Sequence, residues 1–188
     1  MNVFAIGTGR SGTKTFYEAC KHITNFTVGH ETKVSDTSPD RIFFPDHHIE
    51  VDHRLNFFKG RLVYAYDPAY MHFVHVFRNS IDVEASWAKR IKDKHSMVNT
   101  WPNAAFYKPG LMTDAAKASL YVRATLADIE VFMSGYGARY GRHLTHEIPI
   151  DQPDAAEAGF SRFWRLIGAQ GDMVAALNTL KERHNASR

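Results

Sequence analysis

The sequence predicts an α/β fold, a three-layer sandwich with helices on both faces of a mostly parallel central sheet. Three observations predict it. Apolar runs too short for helices recur along the chain (Val3 to Ile6 and Phe73 to Phe77 are the clearest). Each is followed by a segment with helical apolar spacing, and strands alternating with helices give a parallel sheet. The 188 residues suffice for one core and are few for two, so residues 1–188 are expected to form a single domain.

The elements follow in order. Val3 to Ile6 is a strand, Gly7 to Gly12 a loop, and Thr13 to His22 a helix with Phe16, Ala19 and Cys20 inward. Phe26 to Val28 is a second strand ending at Gly29, and His48 to Val51 a third. Leu55 to Tyr66 reads as a helix ended by Pro68. Phe73 to Phe77, apolar as a buried parallel strand should be, leads into a helix over Ile81 to Ile91. His95 to Gly110, with Pro102 and Pro109, is expected to be the longest loop, of a kind that often covers a site. A long helix over Asp114 to Met133, a strand over His143 to Ile148, and helices over Ala155 to Ile167 and Met173 to His184 complete the chain.

Composition narrows the function. Hydrophobic residues at 44% and charged residues at 23% describe an ordinary globular domain. A net charge of +3 is too small to argue for nucleic acid, and no apolar run approaches a membrane span. The single cysteine, Cys20, permits no internal disulfide. No apolar leader precedes the first loop, so the expectation is a cytoplasmic protein, or a catalytic domain cut from a longer anchored one. Asn25-Phe26-Thr27 and Asn185-Ala186-Ser187 read as chance triplets.

The strongest local signal is the stretch from Gly7 to Thr15, between strand and helix. Its glycines allow a tight turn and close backbone approach. The N–H groups and dipole of the following helix favour an anion. Arg10 and Lys14 add charge, and Ser11, Thr13 and Thr15 add hydroxyls. The nucleoside-triphosphatase pattern G-x-x-x-x-G-K-[ST] fits the glycine spacing, but Thr13 stands at its lysine position. Lys14 comes one residue late, a rotation of about 100 degrees on a helix.

Gly9-Arg10-Ser11-Gly12-Thr13-Lys14 instead resembles the 5′-phosphosulfate loop, P-[KR]-S-G-T-T, of sulfotransferases that use 3′-phosphoadenosine 5′-phosphosulfate (PAPS). It departs at Gly9 and Lys14. A second motif agrees: Arg78, Asp82 and Ser86 match the family's R-[ND]-P-x-D-x-x-x-S, with Ser80 in place of proline. The resemblance implies that Arg78 and Ser86 hold the 3′-phosphate, as an Arg fork suits a phosphate. Asp82 is expected to fix the loop or cap the helix. Gly29-His30-Glu31-Thr32-Lys33 resembles the Gly-Glu-Glu-Thr-Arg stretch of tyrosylprotein sulfotransferases and the strand-end Glu of Golgi carbohydrate sulfotransferases, which implies Glu31 as catalytic base. Cytosolic members use a histidine base, which makes His30 a rival.

Sulfonyl transfer to a hydroxyl needs a proton acceptor and cations at the sulfonyl and leaving phosphate. These roles fall to Glu31, and to Arg10 with Lys14 in support. Gly9 through Thr15, Arg78 and Ser86 form the expected PAPS site, with 3′,5′-adenosine bisphosphate (PAP) as product and no metal required. The histidine-rich stretch from Asp46 to Arg54 places His48, Glu50 and Asp52 on one strand face and His53 on the other, which splits any metal ligand set. It is expected to be an exposed strand or a wall of the acceptor site, with Asp52 and His53 as substrate contacts beside His30, and it holds a reserve base should Glu31 fail. Trp101, Phe106 and Tyr107 either anchor their loop or stack on an acceptor. Lys181, Arg183 and Asn185 give no match to the family's C-terminal Arg-Lys-Gly clamp. The acceptor class (carbohydrate, lipid-linked or small molecule) stays open. A phosphate-loop kinase using Mg-ATP, or a non-catalytic nucleotide-binding module, is the alternative.

Overall fold

The computed structural model describes residues 1–92, 96–105 and 112–182, with the backbone alone for 102–105. Five parallel strands form one sheet in the order β2-β3-β1-β4-β5. They are β1 (Asn2–Ile6), β2 (Thr27–His30), β3 (His48–Val51), β4 (Met71–Phe77) and β5 (Thr145–Pro149). The helices are α1 (Thr13–Cys20), α2 (Lys59–Ala65), α3 (Ser80–Ala88), α4 (Met97–Ala105), α5 (Asp114–Tyr140), α6 (Pro153–Leu166) and α7 (Met173–Lys181).

Strand alternation builds the three layers. Val3 and Ala5 of β1, with Val74 and Val76 of β4, pack against Phe16 and Ala19 of α1, Phe160 and Phe163 of α6, and Leu180 of α7. Phe4, Ile6, Met71 and Phe73 face the other way, onto Leu62 of α2 and Ile129, Met133 and Tyr136 of α5. A third cluster joins Val83 and Trp87 of α3 to Val98 of α4 and Ala118, Tyr121 and Val122 of α5. The chain leaves β1 toward β2 and β3 on one side and reaches β4 and β5 on the other. The carboxyl ends of β3, β1 and β4 therefore open onto a topological switch point, where such sheets bind ligands.

Three departures from expectation have local causes. Leu55 to Tyr66 is not one helix: a 3-10 turn over His53–Phe58 precedes α2. The Asp52 carboxylate caps that turn by accepting from the Arg54 N–H at 2.8 Å, and the Asn56 amide donates to the Gly7 carbonyl. The span from His95 to Gly110 is not all loop, for α4 lies in it. Buried Val98, and Trp101 edge-on to Tyr121 at 6.0 Å, anchor α4 on α5 despite Pro102. Phe106 and Tyr107 lie outside the described residues, as do Arg183 and Asn185.

The third correction concerns β3, which is neither exposed nor an acceptor wall. It is buried throughout between β1 and β2. Glu50 is fully buried, and its carboxylate accepts from the Thr32 N–H (2.8 Å) and hydroxyl (2.7 Å) and meets His48 Nε2 at 2.9 Å. Partners on this scale are what a buried carboxylate requires.

Three buried histidines tie stability to pH. His72 Nδ1 and His146 Nε2 lie 2.9 Å apart on β4 and β5, and His75 sits on β4. Burial, aided for the pair by neighbouring positive groups, lowers His72 and His75 from the usual 6.5 to about 4 and His146 to about 3. Below pH 6.5 the unfolded chain takes up protons that the native state refuses. Stability should therefore fall as pH drops from 6.5 toward 4. Denaturant titrations at pH 7 and pH 5 should show an earlier midpoint at pH 5, and equal midpoints would contradict this.

Candidate functional site

The loop between β1 and α1 turns through two glycines and one strained arginine: φ is 71° at Gly9, 58° at Arg10 and 97° at Gly12. The left-handed Arg10 is a departure that ordinary loops avoid. Gly12 caps α1 with no side-chain acceptor, so the first-turn N–H groups face the loop's mouth. Ser11 Oγ is buried with no hydrogen-bond partner among the described residues. Underneath, the Trp87 indole N–H and the Tyr121 hydroxyl each donate to the Thr8 carbonyl at 3.2 Å.

This geometry explains the Gly9 departure. Proline is locked near φ −65° and cannot adopt 71°. A Cβ at Gly9 would also stand 2.8 Å from the Trp87 ring and 3.0 Å from His53. Gly9→Ala should therefore destabilise the fold by about 1–3 kcal/mol, and Gly9→Pro by more. Thermal melts check this, and an unchanged melting temperature for either variant would mean that the loop adapts.

Lys14, the second departure, turns along its own helix. Its Nζ pairs with Glu18 at 2.7 Å and lies 4.4 Å over the Tyr17 ring. Lys14 and Lys21 together hold the Glu18 carboxyl at about 2, from a usual 4.5.

The second motif meets the first across the cavity. Arg10 Nε donates to Ser86 Oγ at 3.0 Å. Arg78 donates to the Asp82 carbonyl at 3.2 Å, while its Nε is buried without a partner among the described residues. Asp82 is exposed in the first turn of α3, and Asn79 caps that helix. Burial lowers the Arg10 guanidinium from its usual value, and the charges of Arg90 and Arg78 lower it further. Three guanidiniums thus crowd one wall, as expected where an anion is to be received.

Glu31 follows β2 with φ 53°. The register His30↔Val51 delivers it beside Asp52 and His53, and the Glu31 N–H donates to the Val51 carbonyl at 3.1 Å. Its carboxylate oxygens face His53 Nδ1 at 3.1 Å and Arg54 at 3.0 Å, the latter an ion pair rather than an aligned hydrogen bond. The His53 hydrogen bond outweighs the raising effect of burial and, with the His53 and Arg54 charges, holds Glu31 at about 2, from a usual 4.5. A carboxylate on Nδ1 favours the tautomer whose lone pair is on Nε2. His53 Nε2 is buried without a partner among the described residues.

Gly9, Arg10 and Gly12 to Thr15 of the loop, with Arg78, Ser86, His30, Glu31, His53, Arg54, Trp87 and Arg90, line one cavity of about 720 Å³, whereas Ser11 is off this lining. Ile150, beside Gly12, and Pro153 and Ala156, with Leu177 and Leu180 of α7, line it as well. Lys181 pairs there with Glu157 at 2.9 Å. Asp52 is off this lining: it is fully buried and its carboxylate pairs with buried Arg41. Glu31, Asp52 and His53 do bring three potential metal donors within 4.8 Å. Arg41 and Arg54 already neutralise the two carboxylates, so the group is an ion-pair network. His30 packs on Tyr17 at 5.3 Å, and burial, the largest influence on it, lowers its imidazole.

Sequence reasoning did not find Trp87, Arg90 or Ser96 on this cavity. A Ser86-to-Arg90 helical spacing was the one available signal for Arg90.

No family model matches the chain. No curated protein matches it either. Among solved structures, it is similar to mouse sulfotransferase SULT7A1 complexed with PAP, with a TM-score of 0.64 and 13% sequence identity over 95% of this chain. The chain spans 64% of the length of that one. With its parallel sheet and its loop at the switch point, the chain has the sulfotransferase fold.

Proposed function

We propose that the chain is a sulfotransferase that uses PAPS and transfers its sulfonyl group to a hydroxyl of an acceptor. The observation that carries this reading is the meeting of the two anion motifs in one cavity, with Arg10 hydrogen-bonded to Ser86 across it. The residues fit the nucleotide. Arg78, on the cavity lining, has a buried Nε without a partner among the described residues, and the α1 amino terminus is uncapped by any side chain. The ends of the loop and α3 would take the 5′ and 3′ groups respectively. PAP in the similar mouse structure supports the same nucleotide class.

In this reading PAPS supplies the activated sulfonyl group. The acceptor oxygen attacks sulfur, the bond from sulfur to the phosphate oxygen breaks, and PAP leaves with the bond's electrons. Arg10 stabilises charge on the transferring and leaving oxygens. The acceptor proton goes to His53 Nε2, with Glu31 holding Nδ1. This reassigns the role that the resemblance gave to Glu31. A carboxylate held at about 2 has little drive to take a hydroxyl proton, whereas an imidazole with a carboxylate behind it is suited to it.

Titration calorimetry with PAP, AMP and Mg-ATP tests the nucleotide assignment. Metal-independent binding of PAP at least tenfold tighter than AMP is expected, as a charge-assisted phosphate contact supplies about that much. Preference for Mg-ATP would instead favour a kinase. Against a kinase stand Thr13 at the lysine position and Lys14 turned to Glu18.

A further inference from the structure

We infer that Lys89, Arg90 and Ser96, with the first turn of α4, form an oxyanion subsite that receives the 3′-phosphate of the nucleotide. The inference rests on the nucleotide reading above and assigns residues that neither motif contains.

Four observations point to it. Lys89, the C-cap of α3, and Arg90, the residue after it, lie on the cavity lining three and four residues beyond Ser86, and both are exposed. Arg90 is close enough to Arg10 to lower its guanidinium, together with Arg78. Neither Lys89 nor Arg90 has a carboxylate partner among the described residues. Arg54 and Lys181, by contrast, are neutralised by Glu31 and Glu157. Ser96 is 8% exposed and lines the same cavity, and its Oγ is buried without a partner among the described residues.

Ser96 immediately precedes α4, a helix of 9 residues. Its carbonyl accepts from the N–H groups of Asn99 and Thr100 at 3.0 and 3.1 Å. The amides of Met97 and Val98 come before these in the first turn, where helix N–H groups lack intrahelical acceptors. The Asn99 side-chain amide donates to the Ile91 carbonyl, which sets a buried hydroxyl and a helix amino terminus beside the two cations that precede Ile91. That combination recognises a tetrahedral dianion, not a neutral group. The nearest such group in a bound nucleotide is the phosphate held by Arg78 and Ser86, since Arg90 extends the same wall by one turn.

The test is titration of the full chain with PAP and with AMP, in the unaltered protein and in Arg90→Ala, Ser96→Ala and Lys89→Gln. Arg90→Ala should weaken PAP by about tenfold or more and AMP by less than twofold. Ser96→Ala, which removes one hydroxyl without a partner among the described residues and no carbon, should shift the same ratio in the same direction. Equal loss for both nucleotides, or no loss with either Arg90→Ala or Ser96→Ala, overturns the subsite while leaving the nucleotide reading intact. If the unaltered protein does not prefer PAP over AMP, both fall.

Discussion

Exchange of His53 for alanine should lower turnover by about a hundred- to ten-thousandfold, the range for loss of a general base, with PAP affinity within a factor of about two. His53 Nε2 is a buried acceptor without a partner among the described residues, and its other nitrogen faces a carboxylate at 3.1 Å. An unsatisfied buried nitrogen is unfavourable unless a ligand uses it. Glu31, by contrast, is engaged by both His53 and Arg54 and is already held at about 2. Glu31→Gln should therefore be the milder change, about tenfold in turnover, because a glutamine oxygen still accepts from His53 Nδ1. If Glu31 were itself the base, the order would invert, and His53→Ala would be the milder variant. Single-turnover rates at saturating nucleotide separate the two outcomes, since they exclude product release.

The same pair shows how far the sequence could be read. Both residues were visible as candidates, but their meeting was not. They are brought together by the parallel register of β2 on β3, which aligns His30 with Val51 and lets the chain leave both strands side by side. A period-two reading of His48 to His53 put Asp52 and His53 on opposite faces and treated the strand as exposed, but β3 ends at Val51 and the turn that Asp52 caps brings both side chains to Glu31. Burial of β3 between two other strands is a property of the sheet order, which β3 alone does not encode.

Local signals fared better. The glycine loop was legible because glycines, cations and hydroxyls all sit within nine residues, and the strand and helix around it follow from short-range apolar spacing. The two departures from the loop motif were legible as letters but not as geometry. Gly9 is there because the turn needs a positive φ beside Trp87 and His53. Lys14 is rotated onto Glu18, as the one-residue offset from the triphosphatase pattern implies. The long loop expected at His95 to Gly110 failed because Pro102 was weighed above the inward spacing of Val98 and Trp101. Tertiary packing on Tyr121 outweighs propensity there. Arg90 and Ser96 carry no motif at all, and only the folding of α3 and α4 around one cavity brings them to the site.

Arg10→Ala should reduce transfer by about a hundred- to a thousandfold, as for loss of one donor to a developing anion, while altering the free protein in the opposite direction. Arg10 is a costly residue to keep. It is in the left-handed region at φ 58°, partly desolvated, and set against Arg90 and Arg78. Alanine leaves the backbone strain in place but removes the repulsion, so the free variant should melt at the same temperature as the unaltered chain or slightly above it. Saturating PAP should then raise the melting temperature less in the variant than in the unaltered chain, because the relief of like-charge repulsion is part of what the ligand contributes. A residue with a purely structural role would behave differently: its loss would lower the melting temperature of the free protein and leave the ligand-induced increment unchanged. Arg10→Lys divides the function further. It retains the charge but not the fork that reaches Ser86 Oγ at 3.0 Å, so it should recover PAP binding more fully than turnover. Near-normal turnover in Arg10→Ala would remove the residue from the reacting centre and leave the sulfonyl group to Lys14 and the α1 amides.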